Sequence, residues 1–180
     1  MSNDEQLLSR FIGFASLGVL TTTQELAGRV LESIGGADPQ AVAEESFSLV
    51  AVTSARAAEV GFSAQPALGH SASIVLASLP LYHRDYLVGG AVLAEADPHA
   101  LVDTESLARR LSFYAAHFPE ASFPGPIALK DKMELWMGRV SVPGLDGSPA
   151  QRVSDMQAVD TLHLHLRLLL GFARQMTSTD

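Results

Sequence analysis

The sequence predicts an α/β fold: a central antiparallel sheet covered by helices, with a long C-terminal helix, in one domain spanning residues 1–180. Three observations predict it. Residues 72–79 and 86–94 are nearly uninterrupted apolar runs flanking the polar cluster Tyr82, His83, Arg84 and Asp85, the pattern of a β-hairpin. Both runs are apolar at odd and even positions, so each strand is expected to be covered on both faces, which calls for helices packed on the sheet. Helical spacing of apolar residues recurs on either side of the hairpin, behind residues suited to capping a helix.

In chain order, Ser2 or Asn3 caps a first helix with Leu7, Leu8, Phe11, Ile12 and Ala15 at helical spacing, and Asp4 and Glu5 favour its N-terminal dipole. Residues 17–36 support two readings. Thr23, Gln24, Glu25 and Leu26 can open a helix with Leu26, Val30, Leu31 and Ile34 on one face, ended by Gly35 and Gly36; alternatively residues 17–22 and 28–33 are short strands joined by a tight turn. Asp38 followed by Pro39 starts a long helix, because the carboxylate caps and the missing proline N–H costs nothing in the first turn. That helix carries Val42, Ser46, Leu49, Val50, Thr53, Ala57 and Val60 on one face as far as Gly61, and its many alanines predict close packing. Ile74, Leu76, Val88 and Leu93 are expected in the core of the hairpin that follows. Asp103 or Thr104 caps a helix burying Leu107, Leu111, Tyr114 and Ala115, with Pro119 at its exit. Residues 119–131 read as a loop, and residues 133–142 as a strand with Trp136, Gly138, Val140 and Val142 on one face. Ser148, Pro149 and Gln151 then begin the longest helix, residues 149–176.

Composition limits function. A net charge of −8 and scattered basic residues argue against a nucleic-acid surface. Cysteine is absent, which removes disulfides, thiolate catalysis and cysteine-ligated zinc. The early apolar stretch, residues 11–20, is half of what a membrane span needs, about 20 residues. Asp4 and Glu5 stand where a signal peptide would be basic, so a cytoplasmic protein without membrane contact is expected.

No catalytic residue, cofactor or metal is expected. Gly69, Ser71 and Ser73 approach the nucleophile elbow of hydrolases, but the final glycine is replaced and no clear strand precedes, so a hydrolase using Ser71 is the weaker alternative. His163 and His165 would share a face on a strand; on a helix they point apart. Tyr82, His83, Arg84, Asp85 and Tyr86 are dense in recognition-type side chains and form the expected ligand or partner surface. In the C-terminal helix, Leu162, Leu164, Leu166, Leu168, Leu169, Leu170 and Phe172 surround more of the helix than one core-facing stripe needs, so an oligomer interface is expected there. The expected function is regulation or scaffolding through protein–protein binding, as a homodimer, with a small-molecule ligand as the alternative.

If residues 17–34 are two strands, the element order resembles the roadblock/longin family. The likeness rests on Gly18, Val19 and Leu20 entering a turn, residues 28–33 as a second strand, Asp38 and Pro39 opening an alanine-rich helix, and residues 86–93 as the last strand. It covers about residues 4–117 and implies a dimeric scaffold or regulator without catalysis. If residues 23–34 are helical, residues 78–90 look like the Pro-Leu strand, turn and Val-Gly strand of GAF domains, which implies a small-molecule sensor.

Overall fold

The computed structural model describes residues 2–82, 104–118, 126–140, 152 and 157–178. Among them are six helices and no strand: α1 (Asn3–Ser33), α2 (Pro39–Gly61), α3 (Pro66–Tyr82), α4 (Thr104–His117), α5 (Pro126–Val140) and α6 (Ala158–Thr177). The α/β expectation is therefore overturned in favour of an all-α fold, and an all-helical arrangement conflicts with the sheets that roadblock/longin and GAF architectures require.

Local chemistry explains where the first helices begin and end. Ser2 and Glu5 form a reciprocal capping box, the Glu5 N–H donating to Ser2 Oγ at 3.2 Å and the Ser2 N–H to Glu5 Oε2 at 2.7 Å. α1 then runs unbroken through residues 17–33, where neither the second helix start at Thr23 nor the pair of strands materialises. Three consecutive threonines and the glycines at 13, 18 and 28 are poor helix formers, yet packing of Phe11, Ala15, Val19, Leu26 and Val30 along one face overrides propensity. The Gln40 N–H donates to Asp38 Oδ1 at 3.0 Å, Pro39 occupies the first turn, and α2 stops at Gly61 as expected.

The hairpin expectation fails on its first half. Residues 72–79 lie inside α3, whose buried positions Leu68, Gly69, Ala72, Ser73, Leu76, Leu79 and Pro80 recur at helical spacing. Leu76 is in the core, whereas Ile74 is 56 % exposed, because a helix turns them to opposite sides. Residues 83–103, including Val88 and Leu93, lie outside the described residues. The expected strand at 133–142 is also overturned: Met133, Trp136, Met137 and Val140 are all buried, a set separated by three, one and three residues that fits one helix face and no strand face. Of the loop expected at 119–131, residues 126–131 instead belong to α5, with Pro126 in its first turn, and residues 119–125 lie outside the described residues.

α2 is the axis of the molecule. Every other described helix packs against it, and the neighbours contact one another in the order α3, α1, α6, α5, with α4 beside α3. An Arg139 guanidinium 4.3 Å from the Phe113 ring joins α5 to α4 and closes the circle. From Val42 to Ala58 almost every side chain of α2 is therefore buried. Small residues permit this. A Cβ at Gly61 would lie 2.5 Å from Ala173 Cβ on α6, and one at Gly69 would lie 3.2 Å from Phe62 Cβ.

A central helix carrying this sequence must also bury polar groups, and each needs a partner. Glu45 is 1 % exposed and accepts from Tyr114 Oη at 2.7 Å, from Arg139 Nε at 2.7 Å and from Arg110 Nη1. Neighbouring Glu44 accepts from Arg110 Nε at 2.8 Å and Gln40 Nε2 at 2.8 Å. Two carboxylates and two guanidiniums thus neutralise each other while fastening α4 and α5 to α2. Trp136 Nε1 donates to Ser46 Oγ at 3.2 Å, a second tie from α5. Lower on the same helix, Arg56 Nε donates to the Phe118 carbonyl at 2.7 Å and Ser73 Oγ to Glu59 Oε1 at 2.8 Å, tying α2 to the end of α4 and to α3.

Candidate functional site: a groove between α1 and α6

α1 and α6 lie side by side and antiparallel. Phe14 and Phe172 meet at one end, with ring centroids 4.4 Å apart, and Thr161 Oγ1 donates to Glu25 Oε1 at 3.0 Å at the other. The inward faces of both helices serve the core: Phe11, Ala15, Val19 and Thr22 from α1, and Leu162, Leu166, Leu169 and Ala173 from α6. Between the helices runs a groove of about 340 Å³ lined by Phe14, Leu17, Gly18, Thr21, Leu164 and Leu168, among others.

Its rim is apolar and open to water. Phe14 is 42 % exposed, Leu17 64 %, Leu164 61 % and Leu168 55 %. The four belong to outward-facing rows at alternating spacings of three and four: Arg10, Phe14, Leu17, Thr21, Gln24, Gly28 and Leu31 on α1, and Thr161, Leu164, Leu168, Gly171 and Gln175 on α6. Such rows are the pattern by which one helix presents a seam to another. Added side chains at Gly13, Gly28 and Gly171 would meet nothing within 4 Å.

The floor of the groove holds one polar ring. His165 is 6 % exposed, and its Nε2 is 2.8 Å from Ser54 Oγ on α2. Burial pushes its pKa down to about 4, so the ring is neutral at pH 7. Nδ1 has no partner among the described residues and lies against Gly18, where a Cβ would sit 3.1 Å from Nδ1 and 2.9 Å from Cε1. Gly18 is the residue that makes room for the imidazole. At the far end of the groove, the hydrogen bond from Arg29 to Glu25, 2.6 Å long, outweighs desolvation and holds the Glu25 carboxyl below its usual range.

The residues expected to form a site divide three ways. Leu162, Leu166 and Leu169 are core, Leu170 and Phe172 are half-buried, and of the seven α6 residues expected at an interface only Leu164 and Leu168 stand fully on the surface. The exposed apolar edge of α6 is thus Leu164 and Leu168, and Phe14 and Leu17 of α1 continue it across the groove. Tyr82 is the last residue of α3 and 79 % exposed, while His83, Arg84, Asp85 and Tyr86 lie outside the described residues. Ser71 lies in mid-α3, so the strand-to-helix turn of a nucleophile elbow is missing. His163 and His165 diverge, and among the described residues no group of His, Asp and Glu could hold a metal ion. Sequence reasoning missed His165 as a buried group, although it shares the core spacing of Leu162, Leu166 and Leu169.

No described helix is long and apolar enough to cross a membrane. No protein-family model, curated protein or solved structure matches the chain.

Proposed function

We propose that the protein acts by binding, as a homodimeric regulatory or scaffolding protein whose subunits meet through the α1–α6 groove. One observation carries this reading: four large apolar side chains, Phe14, Leu17, Leu164 and Leu168, stand exposed in one contiguous strip along two rigid helices. Fully burying a leucine or phenylalanine stabilises by roughly 1.5–3 kcal/mol, so covering the strip on both subunits offers several times the effect of any single surface contact. A second copy is the simplest cover, since two-fold homodimers are the commonest assembly. The cytoplasm is the proposed compartment. The acidic chain and the helical seam both favour a protein partner over nucleic acid.

Light scattering coupled to size exclusion at micromolar concentration tests the reading. The expected mass is twice 19.1 kDa. Leu17→Glu and Leu168→Glu should each return the monomer with helical circular dichroism intact, whereas Ile74→Glu, equally exposed but on α3, should leave the dimer unchanged. A monomer for the unmodified chain refutes the proposal. A dimer indifferent to both groove substitutions places the interface elsewhere and refutes it equally.

A further inference from the structure

The floor of the α1–α6 groove holds a hydrogen-bonding group that the fold leaves unused. Ser54 is fully buried, and its hydroxyl has one partner among the described residues, His165 Nε2 at 2.8 Å. If Nε2 carried the proton, the ring would donate to Ser54 Oγ and the serine hydrogen would have no acceptor in a dry interior, a costly arrangement. The serine therefore donates to Nε2, and the single N–H of the neutral ring lies at Nδ1. No described residue accepts from that N–H, although the side chain is only 6 % exposed. Gly18 leaves it reachable: a Cβ there would stand 3.1 Å from Nδ1, and both residues line the groove. Thr22, one turn further along α1, lines the same floor, and its hydroxyl also has no partner among the described residues.

We propose that the groove binds a small neutral molecule with an apolar body and a carbonyl oxygen, the oxygen accepting from His165 Nδ1 and the body lying among Phe14, Leu17, Leu164 and Leu168. Three features select that class. The floor supplies a buried donor, so the ligand must supply an acceptor. The walls are apolar, and a groove of about 340 Å³ falls at the small end of pockets that enclose a small molecule, roughly 300–1,000 Å³. Among the described residues, the one charged side chain in the lining is Glu25, whose carboxylate is already held by Arg29 at 2.6 Å. No lining cation is there to neutralise a carboxylate or phosphate, so the groove rejects anions. The inference goes beyond the self-association proposed above and does not need it, because every contact comes from one chain.

Acetophenone is the test ligand, compared with ethylbenzene, which lacks the carbonyl, and benzoate, which carries a charge. Long-range proton–nitrogen NMR spectra of the unmodified chain at pH 7, with the His165 signals identified by their loss in His165→Asn, should place the proton on Nδ1. That signal should shift as acetophenone is added at millimolar concentration. Acetophenone should bind about tenfold more tightly than ethylbenzene, the discrimination of one hydrogen bond, and benzoate should not bind. Thr21→Trp, at an exposed position on the groove wall, should fill the space and abolish binding with helical circular dichroism intact. A proton on Nε2, an Nδ1 signal unmoved by acetophenone, ethylbenzene bound as tightly as acetophenone, or binding that survives in a folded Thr21→Trp chain would each overturn the site. The mass of the unmodified chain in solution is read separately, so failure of the ligand site and failure of the dimer are distinguishable.

Discussion

At the scale of single residues, two buried titratable groups divide the acid response between them. Folding holds His165 at about 4, below the ~6.5 of an unfolded histidine. Between those values the unfolded chain binds a proton that the folded chain refuses. The contribution of His165 is therefore complete above its unfolded pKa and is lost as pH falls from there toward 4, on the order of 3 kcal/mol in all. Burial opposes ionisation of Glu45, but the hydrogen bonds from Arg139 and Tyr114 and the charge of Arg110 outweigh it, and its carboxyl lies below the usual range. Its contribution is present above the unfolded carboxylate value, about 4.3, and is lost only as pH falls further. Urea midpoints measured from pH 7 to pH 3 should show both losses in the unmodified chain. His165→Asn should flatten the upper one alone and Glu45→Gln the lower one alone. The partners of Glu45 respond in kind: burial and the neighbouring carboxylate raise the Tyr114 phenol, and the Glu45 hydrogen bond raises Arg139 against the effect of burial. Tyr114→Phe should cost about 1.5–3 kcal/mol, the range for a hydrogen bond to a charged group, read as a lowered thermal midpoint.

At the scale of elements, glycines divide by what lies over them. Gly61→Ala would bring two methyl carbons to 2.5 Å between α2 and α6. It should destabilise by about 1–3 kcal/mol through overpacking. Gly138 on α5 faces open space, so Gly138→Ala should instead stabilise by up to about 1 kcal/mol through helix propensity alone. Thermal melts of the two variants should move in opposite directions. The same division between local and distant causes decides which elements the sequence reveals. The starts of α1, α2 and α4 are legible because a cap is written in a few neighbouring residues. α3 is not, because its seventeen residues contain no Asp, Glu, Lys or Arg and its apolar run carries no period to read. α5 satisfies both periods over Met133 to Val140, and only the burial of Trp136 and Met137 side by side separates them. The groove was half legible. The leucines of α6 were visible in number, but which of them face inward depends on α1, and α1 through Gly18 also fits a strand.

At the scale of the whole molecule, enclosure of α2 by five neighbours makes it the last element to meet solvent. Native-state hydrogen exchange should therefore be slowest in residues 42–58 of α2 and faster in the outward-facing helices, since α2 amides exchange only after neighbours detach. Exchange in α2 as fast as in α4 would mean that the surrounding helices open readily. The antiparallel contact of α1 with α6 has a further consequence, for synthesis. α1 is made first among the described helices and α6 last, yet they are neighbours. At ~5–20 residues per second, α1 waits on the order of ten seconds at the ribosome with Phe11 and Phe14 lacking their aromatic partner Phe172. During that interval the nascent chain displays an apolar helix that a chaperone, or α1 of the chain growing on the next ribosome, is free to grip.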